Sequence, residues 1–367
     1  MLEREMYKKF GIRDFRCFHD FGIDGLKRVN LITGTNNVGK TAFLEAIFLH
    51  SGSYNPELAA SINGLRGLAQ MHIDLNDDSQ SPLDGIFRDF ITEHPIRLDG
   101  AWSDRSWSVN ISRVRDMSEV SGLSLSVRKT LEKSQAASTK MPAVIYKLEY
   151  RREKGQAHRY FLIMDGTGKR VEPTPPISGH TTRFHLARGR TDAKAQAILF
   201  SNVQRKGEEA ALVEGLRTLE SRLKGLAISM EGGDPMLHGD IGIRGHRLMP
   251  LALMGDGMAR LLDVLVGIAN TKDGVFLVDE IEIGWHHSVL IKVWGAILKA
   301  AETYNVQLFC TTHSLEAVRA AYDAFSVAGS EKMLAVYRFE RKGSEIIPLA
   351  YDNESLVAAF SASLEIR

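Results

Sequence analysis

The sequence predicts an α/β fold built around a phosphate-binding loop, and three observations support this prediction. Residues 34–41 read GTNNVGKT, which matches the pattern GxxxxGK[ST]. A β-branched run at 29–33 precedes these residues, and apolar residues at i,i+4 spacing follow them over 41–50. Two later apolar runs, at 275–278 and 306–310, end in polar side chains. This succession of strands and helices is typical of an open sheet with helices on its faces.

The phosphate-binding loop (residues 34–41) has the residue types that an anion cradle requires. Its two glycines let the backbone wrap an anion, with successive N–H groups pointing inward beside the positive end of a helix. Lys40 can reach the β- and γ-phosphates, and Thr41 can offer its hydroxyl to Mg²⁺. The loop therefore predicts binding of a nucleoside triphosphate; the alternative is an ordinary glycine-rich turn. The candidate cofactor-binding residues here are Gly34, Thr35, Asn36, Asn37, Val38, Gly39, Lys40, Thr41 and Ala42.

Composition narrows the possible classes of protein. The chain has 367 residues, of which 44% are hydrophobic and 25% charged, so it can bury a substantial core. A net charge of +1 provides no global attraction for nucleic acid, so any DNA contact would need a local patch. The two cysteines, Cys17 and Cys310, lie far apart, which suits a reducing compartment. No run of about 18 apolar residues occurs, so we expect a cytoplasmic protein without a membrane partner.

Two acidic residues follow the apolar run at 275–278. A buried strand would deliver Asp279 and Glu280 at its carboxyl end, where open α/β sheets bind their ligands. Asp279 suits a Mg²⁺ site shared with Thr41, and Glu280 is the candidate base that polarises water. A strand that ends in a solvated acidic turn is the alternative; the phosphate-binding loop upstream favours the functional interpretation.

Two further segments complete the candidate site. His313 follows the apolar run at 306–310 and fits a residue that senses the γ-phosphate, although a lone histidine there is more often structural. Gly255, Asp256 and Gly257 precede a predicted helix at 259–270 and form a second candidate anion site. The candidate catalytic residues are thus Lys40, Glu280 and His313.

Composition along the chain predicts three regions. Residues 1–50 and 240–367 are expected to form the core around the phosphate-binding loop, and residues 51–185 a β-rich subdomain with lid insertions. Residues 186–239 are expected to form a helical arm, because residues 191–230 are rich in Ala, Leu, Glu, Lys and Arg. Sustained heptads are absent, so no long coiled coil is predicted.

In this order, the motifs resemble the ABC-type ATPase heads of the SMC/RecF/OLD group. The similarity rests on Phe15-Arg16-Cys17-Phe18, residues 34–41, the Met254-Gly255-Asp256-Gly257-Met258 signature segment, Asp279-Glu280, the D-loop region at 282–287, and residues 311–314. Similar chains include the ATPase parts of the anti-phage systems Gabija, Septu and PARIS. The sequence departs from transporter heads, which have Leu-Ser-Gly-Gly-Gln as their signature. No Q-loop glutamine can be assigned among Gln70, Gln80 and Gln204.

The resemblance implies a mixed P-loop core sheet, an antiparallel β subdomain and a helical insertion. It implies an ATPase that uses ATP and Mg²⁺ and forms a head-to-tail dimer, in which Gly255, Asp256 and Gly257 of one copy close the nucleotide of the other. The expected role is control of a separate effector, such as a nuclease on another chain, in antiviral defence. Two alternatives stay open: a RecF-like DNA-repair ATPase that acts on DNA directly, and a weakly hydrolysing scaffold that inhibits a toxin.

Overall fold

The computed structural model describes residues 6–52, 55–66, 81, 83–102, 105–120, 123, 143–153, 155–165, 168–175, 181–186, 192–245 and 247–362. The chain divides into two compact units. The first comprises Met1–Gly25, Asn36–His180 and Phe339–Pro348, and the second comprises Leu26–Thr35, Thr181–Arg338 and Leu349–Arg367.

The first unit is organised around a seven-stranded antiparallel sheet in the order β2-β1-β4-β5-β6-β7-β8. Alternating buried and exposed positions along β1 and β4 show that this sheet buries one face, as antiparallel sheets commonly do. The strands are β1 (Lys9–Phe15), β2 (Phe18–Asp24), β4 (Ile96–Ala101), β5 (Ser106–Arg113), β6 (Val144–Arg152), β7 (His158–Asp165) and β8 (Gly168–Glu172).

The helix that follows the phosphate-binding loop packs within the same unit. This helix, α1 (Lys40–Ser51), is buried over most of its circumference, and the short α2 (Glu57–Ser61) follows it. The Phe43 ring of α1 meets the rings of Phe10, Phe21 and Phe339 edge-on, with centroids 5.3 to 6.0 Å apart. Aromatic packing of this kind holds α1 firmly in the core of the unit.

The second unit contains a six-stranded sheet in the order β16-β15-β3-β14-β13-β9. The strands β15, β3, β14, β13 and β9 are parallel, and β3, β13 and β14 are buried along their whole length. The strands are β3 (Val29–Thr33), β9 (Thr182–His185), β13 (Val275–Val278), β14 (Gln307–Thr311), β15 (Leu334–Lys342) and β16 (Glu345–Tyr351); β15 contributes its residues up to Arg338 to this unit, and β16 those from Leu349.

Helices and a small antiparallel sheet complete the second unit. The sheet consists of β10 (Gly225–Glu231), β11 (Asp234–Ile243) and β12 (Arg247–Pro250). The helices are α3 (Ala193–Arg205), α4 (Glu209–Leu216), α5 (Asp256–Ala269), α6 (Leu290–Thr303), α7 (Leu315–Val327) and α8 (Asn353–Ser361). One hydrophobic core joins β3, β13 and β14 to α5, α6 and α7.

The predicted α/β fold with parallel and antiparallel sheets is confirmed, but three local predictions differ from the structure. The strands β1 and β2 pair into the sheet that contains β4–β8 rather than into the sheet of the phosphate-binding loop. The strand β9, expected in the β-rich region, pairs with β13. Residues 225–231, predicted helical, form β10 because their apolar residues pair across to β11, and tertiary pairing overrides helix propensity there.

Candidate functional site

The phosphate-binding loop has the backbone shape of an anion cradle. Gly34 and Gly39 have φ angles of +135° and +105°, and Asn37 lies in the left-handed region at +60°. The helix α1 begins directly afterwards at Lys40 with no side-chain cap and no acidic residue in its first turn. The donors of this helix start are therefore not used by a cap or opposed by a carboxylate of that turn, which suits an anion.

Gly39 is required at its position by close packing as well as by backbone conformation. A Cβ atom on Gly39 would lie 2.8 Å from the Sγ atom of Cys17 and 3.0 Å from the ring of Phe18. Burial raises the pKa of the Cys17 thiol, so this neighbour is uncharged at neutral pH. Cys17 in the turn between β1 and β2 and Phe18 at the start of β2 thus support the backbone of the loop within the first unit.

Three loops of the second unit leave the six-stranded sheet at one edge. The strands β3, β14 and β13 are parallel neighbours, with Thr311 opposite Ile32 and Val278 opposite Cys310. The first residue of the phosphate-binding loop, Gly34, therefore emerges at the same edge as Asp279 and His313. The amide of Thr312 donates to the carbonyl oxygen of Ile32 at 3.0 Å, which ties two of these loops together.

The hydroxyl of Thr311 organises the acidic turn formed by Asp279 and Glu280. It donates to Oδ1 of Asp279 at 2.6 Å and accepts from the amide of Glu280 at 2.8 Å. Thr311 is fully buried, and the Asp279 side chain is only 8% exposed. The Thr311 hydroxyl therefore holds the Asp279 carboxylate in one orientation.

Glu280 and His313 face each other beside this buried pair. Nε2 of His313 lies 3.9 Å from Oε1 of Glu280, within ion-pair range when the imidazole is protonated, and both side chains are about one third exposed, at 35% and 34%. Glu280 has a left-handed backbone with φ of +49°, an uncommon conformation for a non-glycine residue. Residues 312–314, which follow β14, form the histidine loop. The amide of His313 in this loop donates to Oε1 of Glu282 at 2.8 Å, which fixes the start of the loop.

The signature segment lies at the start of α5. Gly255 has φ of +102°, and α5 begins at Asp256, three residues earlier than predicted, so Gly257 lies inside the helix. No side chain caps this helix, but Asp256 places a carboxylate in its first turn. That negative charge opposes the helix dipole's attraction for an anion, so this is a weaker anion site than the start of α1.

The structure adds His185, which the sequence patterns did not single out. His185 ends β9 beside β13, and its carbonyl oxygen accepts from the amide of Asp279 at 2.9 Å. Its ring is buried, Nε2 has no hydrogen-bond partner among the described residues, and burial, aided by Arg260, lowers its pKa to about 4. A four-residue strand has too little periodicity to identify from sequence.

The structure describes one of the three candidate glutamines and both neighbouring histidines, His286 and His287. Gln70 and Gln80 lie outside the described residues, and Gln204 is exposed on α3. His286 and His287 are exposed neighbours with ring centroids 4.0 Å apart. Across the part of the chain that the structure describes, no group of three or more His, Cys, Asp or Glu side chains is placed to hold a metal. No helix among the described residues is long and apolar enough to span a membrane.

The phosphate-binding loop is the characteristic motif of a P-loop ATPase. Two family models match the chain, one described as "AAA domain, putative AbiEii toxin, Type IV TA system" over residues 184–319 and one described as "AAA domain" over residues 9–156. The chain belongs to the AAA-type P-loop ATPases.

Three proteins are similar to this chain. A protein of Helicobacter pylori (strain ATCC 700392 / 26695) named "ATP/GTP phosphatase" is 20% identical over 383 residues, covering 96% of this chain and 97% of the relative. An uncharacterized protein of Methanocaldococcus jannaschii is 33% identical over 95 residues, which are 26% of this chain and 81% of that protein. The SMC head bound to the C-winged helix domain of ScpA superposes with a TM-score of 0.50 at 12% sequence identity. The match covers 95% of this chain and 98% of that chain. The fold is therefore that of an SMC-type ATPase head.

Proposed function

We propose that this protein is a Mg-ATP-hydrolysing switch that dimerises head to tail and controls a separate effector in prokaryotic antiviral defence. The observation that carries the hydrolytic part is the linkage of Asp279 and Glu280 through Thr311, at the sheet edge where β3 enters the phosphate-binding loop. Thr311 holds the buried Asp279 carboxylate, while the neighbouring Glu280 carboxylate stays partly exposed, and this arrangement supports a reaction centre.

ATP and Mg²⁺ fit the residues of this chain. The positive φ angles of Gly34, Asn37 and Gly39 and the uncapped start of α1 match a triphosphate cradle, with Lys40 as its cation. Thr41 and Asp279 are the proposed protein ligands of Mg²⁺, which usually binds through one or two protein oxygens together with phosphates and water. When bound, Mg²⁺ supplies positive charge that stabilises the negative charge developing on the phosphates.

Glu280 and His313 have separate proposed roles. The partly exposed carboxylate of Glu280 accepts a proton from the attacking water, which is the task of a general base. His313 lies 3.9 Å from that carboxylate and donates to the terminal phosphate, so it reports whether that phosphate is present. Catalysis here depends on positioning and charge, as is usual for phosphoryl transfer.

The dimer, the effector and the biological setting rest on similarity. The signature segment at Gly255, Asp256 and Gly257 is proposed to close the nucleotide of a second copy, as the resemblance to SMC/RecF/OLD heads implies. The family model that matches residues 184–319 is described with a toxin of a type IV toxin–antitoxin system, which supports a role in defence. The same description favours a second candidate function, a nucleotide-dependent scaffold that regulates a toxin and hydrolyses ATP weakly.

Glu280→Gln tests the hydrolytic proposal. The amide keeps the size of the side chain but cannot accept the proton, so we expect ATP turnover to fall at least about 100-fold while ATP affinity is retained. Turnover is measured by phosphate release, and affinity by calorimetry with Mg-ATP. Glu282→Gln is the matched control nearby, and we expect it to keep measurable turnover. A Glu280→Gln protein that hydrolyses ATP at the wild-type rate would refute the proposed role.

The same variant separates the switch from the scaffold. Mg-ATP should hold Glu280→Gln as a dimer in size-exclusion chromatography, because the nucleotide is bound and not consumed. If loss of hydrolysis leaves control of the effector unchanged, the scaffold function replaces the switch.

A further inference from the structure

Two side chains join the first turn of α5 to the segment that follows β13. The indole Nε1 of Trp285 donates to the carbonyl oxygen of Gly257 at 2.9 Å. From the next turn of α5, Nη2 of Arg260 donates to the carbonyl oxygen of Glu280 at 3.0 Å and approaches that of Asp279 at 3.5 Å. The start of α5 therefore holds both ends of the segment 279–285.

The junction between the first two turns of α5 and residues 279–285 is closely packed. A Cβ atom on Gly257 would lie 3.1 Å from both Cδ1 of Trp285 and the carbonyl oxygen of Gly284. Gly284 has φ of +88°, and a Cβ atom there would lie 3.2 Å from Cδ of Arg260. The guanidinium carbon of Arg260 lies 5.8 Å from the centroid of the Trp285 ring, within range of a cation–π interaction. Packing this tight transmits displacement instead of absorbing it.

The junction ends on the backbone of Glu280. This residue is held in the left-handed region, which is unfavourable for a non-glycine residue unless its surroundings enforce it. Its amide donates to Thr311, and its carbonyl oxygen accepts from Arg260. The same carbonyl oxygen also accepts from the amide of Ile283 at 3.2 Å, so the start of α5 supplies one of the three backbone hydrogen bonds of Glu280.

We infer that Trp285 is a positioning residue that couples the start of α5 to Glu280. An anion that binds at Gly255 and Gly257 shifts the first turn of α5, and Trp285 and Arg260 pass this shift to the backbone that orients the Glu280 carboxylate. The inference rests on the proposed function, since it needs Glu280 to act on water.

Trp285→Phe tests the coupling with a matched control. Phenylalanine keeps an aromatic ring but removes the N–H donor, so we expect kcat for ATP to fall about 5- to 10-fold with KM changed less than about 2-fold. Trp294→Phe removes the same kind of bond, from a buried indole Nε1 on α6 to the carbonyl oxygen of Ala317 on α7 at 3.1 Å. We expect that control to lower the unfolding temperature and to leave kcat within about 2-fold of wild type.

Intrinsic fluorescence gives a second readout that stability alone does not change. Mg-ATP should alter the tryptophan emission of the wild type and of Trp294→Phe but not that of Trp285→Phe. An unchanged kcat in Trp285→Phe, or equal losses of kcat in both variants, would overturn the coupling. If Glu280→Gln hydrolyses ATP normally, the proposed function fails first; if Glu280→Gln is inactive and Trp285→Phe is fully active, only the coupling fails.

Discussion

At the scale of single residues, Thr311 determines how the two acids of the site are presented. Its hydroxyl both donates to Asp279 and accepts from the Glu280 amide, so a single oxygen fixes a carboxylate and a strained backbone. Motif reading selects the acids and His313, because carboxylates and imidazoles have recognisable chemistry. A threonine at the end of a buried strand carries no such signal, and only the pairing of β13 with β14 reveals its role.

Thr311→Val removes that hydroxyl at nearly constant volume. We expect the free energy of unfolding to fall by about 1–3 kcal/mol, because a buried acceptor and a buried donor lose their partner. We also expect kcat for ATP to fall at least about 10-fold, because Asp279 and Glu280 lose their shared support. Chemical denaturation and phosphate release measure the two effects.

Thr271→Val is the matched control for Thr311. Thr271 is also fully buried just after the end of α5, and its hydroxyl donates to the carbonyl oxygen of Gly267 in the last turn of that helix at 2.7 Å. It should lose stability and keep wild-type kcat. Equal kcat values for the two variants would contradict the role of Thr311.

The buried His185 predicts an acid-dependent loss of stability. Its pKa is lowered to about 4 in the fold, first by burial and then by Arg260, from an ordinary value of 6.5. Between these two values the unfolded chain binds a proton that the folded chain does not, so stability falls as pH drops below 6.5. The effect is roughly 2 kcal/mol between pH 7 and pH 5.

His185→Gln provides the comparison, because glutamine does not titrate. Urea denaturation of both proteins at pH 7 and pH 5 should show a larger loss in the wild type. If the two proteins lose the same amount, the imidazole is not kept neutral by the fold.

At the scale of elements, the strand–loop–helix unit of β3, the phosphate-binding loop and α1 was predictable from sequence alone. Glycines at fixed spacing, a β-branched run and i,i+4 apolar pairs are patterns within a short stretch of sequence. The strand and the helix that these patterns predict are both present in the folded chain. The strand β10 was not predictable, because its residues favour a helix locally and become a strand only by pairing with β11. The short β9 was not predicted as part of this sheet for the same reason, because its residues form a strand there only by pairing with β13.

Gly39→Ala tests the loop at this scale. The added Cβ atom would lie too close to Cys17 and Phe18, and alanine favours a negative φ angle. We therefore expect the loop to lose its anion-binding conformation and the affinity for ATP to fall at least about 10-fold. Calorimetry with Mg-ATP measures the affinity.

Gly329→Ala is the control, because it has the same backbone requirement without the contact. Gly329 has φ of +62°, and a Cβ atom there would meet nothing within 4 Å. It should lose about 1 kcal/mol of stability and bind ATP as the wild type does. Equal ATP affinities for the two variants would show that the packing against Gly39 does not matter.

At the scale of the whole molecule, the proposed dimer has composite sites, in which the signature segment of one copy closes the nucleotide of the other. This arrangement predicts how mixtures of active and inactive subunits behave. Lys40→Ala removes the cation of the phosphate-binding loop, so the altered subunit should not bind ATP. If both sites of a dimer must be filled, the activity of mixed subunits falls with the square of the wild-type fraction. Independent subunits would give a linear decline, and that result would contradict the composite site.

The sequence by itself determined the class of protein, because a phosphate-binding loop needs particular residue types at fixed spacing. It also determined the α/β fold, because the spacing of apolar residues within short stretches of sequence predicts strands and helices. The tertiary structure decided how the acids are held, because Thr311 and Arg260 reach them only after distant strands and a helix pack together. Such contacts join residues far apart in the chain, and their geometry exists only in the folded unit.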